Sequence, residues 1–181
     1  MERIRRISRI LRIVFLVIIV LTPIINALIW YNFERLNLAE LSRVFPSLPL
    51  DGITIHTPLP ADVRALGFLV AMIPAGIQMT AFYLLFRLFG LYAQGEIFTE
   101  GAVGYIRKTG YTLLAAQIIR PLQDALLTLV LTMHNAPGMR TISVGIGSTD
   151  LAEILIACLV ILVSWIMDEG RKLKEEEALV I

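Results

Sequence analysis

Apolar residues fall into four long runs, at about 13–31, 65–87, 109–133 and 151–168, with polar intervals between them. Each run is near the ~20 residues that an α-helix needs to cross a hydrocarbon core about 30 Å thick. None breaks into the short alternating segments of a membrane-spanning barrel strand. The pattern predicts an all-α integral membrane four-helix bundle, with residues 1–181 as a single membrane domain. The first run follows Arg3, Arg5, Arg6, Arg9 and Arg12, a flank that resembles a signal peptide. The run is too long for a signal-peptide core and no small-x-small site follows it, so an uncleaved span is expected.

The polar intervals set the expected topology. Arg and Lys in cytoplasmic flanks hold them on that side of the membrane. Of 16 such residues, most lie before the first run, around the 88–108 loop and in the tail at 169–181. Both ends are therefore expected in the cytoplasm, with outer loops at 32–64 and 134–150. In the first outer loop Phe33, Leu36, Leu41 and Val44 share a helical face and predict an amphipathic surface segment. A short extended piece is expected at 53–57. Thr99 reads as the cap of a helix that runs through Arg107 into the third span, and Asp150 with Glu153 reads as a capping box for the fourth.

Composition narrows the function classes. With 57% hydrophobic and 17% charged residues and a mean hydropathy of +0.76, the chain lies outside the range of soluble domains. The bilayer is the expected surrounding, with other membrane proteins or a second copy as partners and no nucleic acid. A lone cysteine, Cys158, builds neither a disulfide framework nor a thiolate metal site within one chain, and inside an apolar run it is expected to be buried and inert. His56 and His134 both fall in outer loops, too few for the three or four close ligands of a zinc site. Gly95, Gly101, Gly104 and Gly110 lack the Gly-Lys-Ser/Thr ending and the strand context of a phosphate-binding loop. No catalytic, cofactor or metal residues are predicted, and the protein is not expected to be an enzyme.

The candidate chemistry lies in the spans. An ionised group at mid-bilayer costs about 3 kcal/mol on insertion scales, so such groups face the protein interior. Gln117, Arg120, Asp124 and Thr128 share one helical stripe, and Arg120 with Asp124, four apart, is expected to form a pair. Pro121 cannot donate to the carbonyl of Gln117. With Asn26 and Gln78 from other spans, Gln117, Arg120 and Asp124 form a predicted intramembrane polar layer. One reading is a route or site for an ion or small anion. The preferred reading is a buried pair that fixes helix register, because no other span contributes a central charge. Gly67, Ala71 and Ala75, spaced by four, are a candidate helix-packing ridge.

The interval between the second and third spans carries Gly95-Glu96-Ile97-Phe98-Thr99, then Val103, Ile106-Arg107-Lys108, Gly110 and Leu113-Leu114. The tail carries Glu169-Gly170, Leu173, Glu175-Glu176 and Leu179. These residues resemble the bacterial family of unknown function numbered 2975, small four-helix membrane proteins. Ala102 stands where that family often has Asn, and Val180 where it has a Thr. The resemblance implies a multi-pass protein of the bacterial cytoplasmic (inner) membrane and no established reaction. Some members are encoded beside small helix-turn-helix regulators, which implies a regulatory role. The expected function is that of a non-enzymatic accessory or regulatory protein, with Gly95, Phe98, Thr99, Arg107 and Gly110 as a cytoplasmic hinge. The alternative is a small transporter or channel component built around Arg120 and Asp124.

Overall fold

A computed structural model describes residues 2–35, 58–145 and 148–179. Four helices account for almost all of them: α1 (Glu2–Tyr31), α2 (Ala61–Gln94), α3 (Glu100–Thr132) and α4 (Ser148–Leu179), with a single 3-10 turn at Phe33–Arg35. All four are long and apolar enough to cross a membrane, α3 being the least apolar, and the described residues contain no strand. The chain is thus an all-helical, multi-pass membrane protein. The expected amphipathic segment beyond Arg35, the extended piece at 53–57 and His56 lie outside the described residues.

The helices overrun the apolar runs because their ends are locally specified. Gly95 closes α2 in the left-handed conformation, φ 94°. Its N–H donates to the Tyr92 carbonyl, and that of Glu96 to the Leu91 carbonyl, at 3.1 and 3.0 Å. Glycine adopts this conformation without the Cβ penalty other residues meet. Four residues later the Thr99 hydroxyl accepts from the Ala102 N–H at 3.3 Å and starts α3. Only 95–99 remain non-helical, because Leu88, Ala102 and Val103 on either side are buried and hold both helix ends in the fold.

Extensive packing occurs between consecutive helices, α1 on α2, α2 on α3 and α3 on α4. Trp30 lies directly over Gly67, where a Cβ would collide with its ring, and stacks on Phe33 at 5.1 Å. This end of the molecule holds the core, formed by Trp30, Phe33, Leu59, Val63, Leu127 and Leu131 with Ala71. At the opposite end the charged residues share a level. Arg12 sits 4.5 Å over the Phe86 ring, Arg87 lies 5.7 Å from the Tyr105 ring, and Arg107 bonds Asp168 at 3.0 Å. Between α3 and α4 the approach is close at Gly110, where a Cβ would stand 3.1 Å from the Ile161 nitrogen and 3.3 Å from the Ala157 carbonyl oxygen.

The 134–150 interval does not simply cap the bundle. Ala136 to Met139 forms a tight turn, with Pro137 and a positive-φ Gly138 at its centre and a 2.9 Å bond from the Met139 N–H to the Ala136 carbonyl. The chain then runs back along α3. The Thr141 N–H donates to the Thr132 hydroxyl at 3.1 Å and the Ser143 N–H to the Thr128 hydroxyl at 3.0 Å. The spacing fits because four residues of helix rise about 6 Å and two residues of extended chain nearly the same. In consequence α4 starts beside Arg120, well short of the Thr132 end of α3.

Candidate functional site

Arg120 and Gln117 project from adjacent turns of α3 toward the first two turns of α4. The Arg120 Nη1 donates to Asp150 Oδ1, and Nη2 lies 3.4 Å from Glu153 Oε2. The same Glu153 oxygen accepts from Nε2 of Gln117. The pairing has a simple geometric basis. Both couples are three residues apart, one on each of two antiparallel helices, so the later residue of α3 meets the earlier residue of α4. Counting 1.5 Å per residue from Arg107 at the charged end puts Gln117 about 15 Å and Arg120 about 20 Å along α3. Both levels lie inside the apolar run of α3, away from the charged end.

This arrangement corrects three expectations. Arg120 makes its ion pairs with Asp150 and Glu153, whereas Asp124 was the expected partner. Local i,i+4 pairing between exposed side chains is worth only about 0.2–0.5 kcal/mol, and two carboxylates from a neighbouring helix outweigh it. Asp150 and Glu153 were read as a capping box, yet α4 begins at Ser148, which puts Asp150 inside its first turn, and Glu153 serves Gln117 and Arg120. Cys158 was expected to be buried and is exposed, because α4 packs extensively on α3 alone.

A cavity of about 140 Å³ adjoins the cluster, between α2, α3 and α4. Gln117, Arg120 and Glu153 line it with Gln78 and Pro74 of α2, and Ala81 and Ala116 leave the space a larger side chain would fill. Of the predicted polar layer the structure brings Gln78, Gln117 and Arg120 to this cavity. Asn26 is half-buried on α1 and does not line it. Asp124 is buried, about one turn beyond Arg120 along α3, and its carbonyl accepts from the Thr128 hydroxyl at 2.9 Å. Asp150 and Glu153 are the cluster residues that sequence reasoning gave to a helix cap. The signal was present in their three-residue spacing, which matches that of Gln117 and Arg120 in reverse.

The other singled-out residues have plain structural places. Gly67, Ala71 and Ala75 are all buried along α2. Gly95 and Thr99 close and open helices, Arg107 bonds Asp168, Gly110 seats α4, and Phe98 is exposed. His134 Nε2 lies 3.5 Å from Asp62 Oδ2 and joins the ends of α3 and α2.

Residues 51–181 match a family described as Protein of unknown function (DUF2975). The chain belongs to this family. The matched region carries the whole of α2, α3 and α4, so every residue of the DUF2975 cluster and its cavity lies inside the family match, while α1 lies outside it. No curated protein and no solved structure matches the chain. The DUF2975 description assigns no activity, and function has to be argued from the geometry.

Proposed function

We propose that the chain is a non-enzymatic accessory or regulatory protein of the bacterial cytoplasmic membrane, with both ends in the cytoplasm, acting through lateral contacts with other membrane proteins or a second copy. The observation that carries this reading is the row-like packing. Because extensive contacts join only consecutive helices, α1 and α4 each use one face and present broad apolar surfaces elsewhere, with Ile13, Val20, Leu155, Leu159 and Trp165 among the exposed residues. Such surfaces suit either lipid or another helix, and small changes of packing shift the balance between them. Purification of the tagged full-length protein at native expression in mild detergent, with mass spectrometry of stoichiometric companions, tests the reading. A reproducible partner or a self-assembled species supports it, and a lone monomer under conditions that retain control complexes overturns it.

A second reading has one observation in its favour. The cavity beside Arg120 gives the polar layer an open volume, which a purely structural ion pair does not need. In this reading the protein is a small transporter or channel component with Arg120 and Asp124 on the route. Neutralising both residues while preserving folding abolishes flux in reconstituted vesicles if it holds, and unchanged flux ends it.

A further inference from the structure

We propose that the cavity between α2, α3 and α4 binds a small monovalent cation of the sodium or ammonium class, with Glu153 and Gln117 as its principal protein contacts. The proposal does not depend on the partner-binding reading. It starts from the orientation of one amide. A carboxylate accepts hydrogen bonds and cannot donate them, so Nε2 of Gln117 must face Glu153. That turns Oε1 of Gln117 the other way, where it is buried with no hydrogen-bond partner among the described residues. An acceptor in that position calls for a donor or a cation.

Two further acceptors stand nearby. Glu153 places Oε2 against both Gln117 and Arg120, and its Oε1 takes no bond among the described residues. Pro121 lacks the N–H that would occupy the main-chain carbonyl of Gln117. Gln117 Nε2 bonds Glu153 and Arg120 Nη1 bonds Asp150, so neither of these nitrogens turns to the Gln117 Oε1. Gln78, from α2, brings a neutral amide that presents either its oxygen or its nitrogen to the cavity.

Charge decides between water alone and a cation. Arg120 gives its direct bond to Asp150 and reaches Glu153 only at 3.4 Å, so the Glu153 carboxylate is the less neutralised of the two. The charged groups facing it are Arg120 from α3 and Asp150 from its own helix, and α2 lines the cavity with no charged side chain. A partly compensated carboxylate attracts positive charge, and does so more strongly the less water surrounds it. A cavity of about 140 Å³ holds an ion of this class together with several waters.

The test uses full-length protein in detergent, freed of small cations and kept at constant ionic strength with N-methylglucamine chloride, a cation too large for the cavity. Equilibrium dialysis measures binding of labelled sodium and methylammonium, and thermal unfolding is followed as NaCl, KCl or methylammonium chloride replaces the bulky salt. We expect saturable binding of one ion per chain and a matching rise in unfolding temperature. Glu153→Gln and Gln117→Met are each expected to weaken binding by at least about tenfold, while Glu176→Gln in the exposed tail leaves it unchanged. If Glu153→Gln does not fold, Gln117→Met, which keeps length and apolar bulk, decides. Absence of saturable binding by any of the small cations overturns the proposal, as does binding that survives both cavity substitutions.

Discussion

Replacing Arg120 by Met tests whether the α3–α4 cluster is the structural and electrostatic centre described here. The side chain is 26% exposed and that of Asp150 12%, so the pair is largely removed from solvent without being dry. Removing one partner of a buried ion pair costs about 3–5 kcal/mol because the other charge is left uncompensated. Partial exposure puts Arg120→Met near the lower end, at about 3 kcal/mol. Asp150→Asn leaves Arg120 with Glu153 and is expected to cost less, about 1–2 kcal/mol, between a typical membrane hydrogen bond and a charged one. The sharper measurement is a pair of double-mutant cycles by reversible unfolding in mixed micelles. Arg120 with Asp150 should couple by ~1–2 kcal/mol, and Arg120 with Asp124 by no more than the ~0.5 kcal/mol of a local helical pair. Coupling to Asp124 that equals or exceeds coupling to Asp150 would refute the geometry.

Other consequences are open to simpler assays. Gly110→Ala drives a Cβ against the backbone of Ile161 and Ala157, an overpacking cost of about 1–3 kcal/mol set against ~1 kcal/mol of helix propensity. Gly104→Ala meets nothing within 4 Å and should stabilise by about 0.5–1 kcal/mol; thermal unfolding that gives both substitutions the same sign contradicts the packing. Thr128→Val and Thr132→Val remove the hydroxyls that hold Ser143 and Thr141. Trypsin cleavage at the exposed Arg140 should then speed up, and an unchanged rate removes the threonine latch. A spin label on Cys158, which lies exposed on α4, should be quenched in bilayers by oxygen and protected from a water-soluble nickel reagent, and the reverse result would place that face against water.

The helices were legible because each apolar run far exceeds what a soluble element requires, and their junction was legible because Gly95 and Thr99 are strong local stop and start signals. The partners of Arg120 were not. Local spacing favours Asp124, and only the tertiary pairing of α3 with α4 reveals that Asp150 and Glu153 stand opposite. The capping-box pattern pointed the same two acids at their own helix, a case of one sequence spacing serving two geometries. Thr128 and Thr132 gave no warning either, since a threonine bonded to the carbonyl four residues back looks like any helix-interior threonine. Their hydroxyls become latches only when the returning chain supplies N–H groups. Cys158 shows the same limit from another side. An apolar run announces that a residue belongs in the membrane and says nothing about which face of the helix has a neighbour.

The cluster also explains how the least apolar helix is tolerated. Arg120 and Asp124 would each add about 3 kcal/mol to the insertion of α3 on its own. The Arg120 charge is offset when α4 lies alongside with Asp150 and Glu153, and close approach at Gly110 brings α4 near. Packing and electrostatics are therefore one property of the α3–α4 pair. A substitution at Glu153 alters the cavity and also the balance of charge that keeps α3 in place. Gln117 is the better probe of ligand chemistry for that reason, since it bears no charge and its buried Oε1 takes no hydrogen bond among the described residues. A loss that follows Gln117→Met without a loss of stability belongs to the cavity, whereas one that follows only the charged residues belongs to the helix pair.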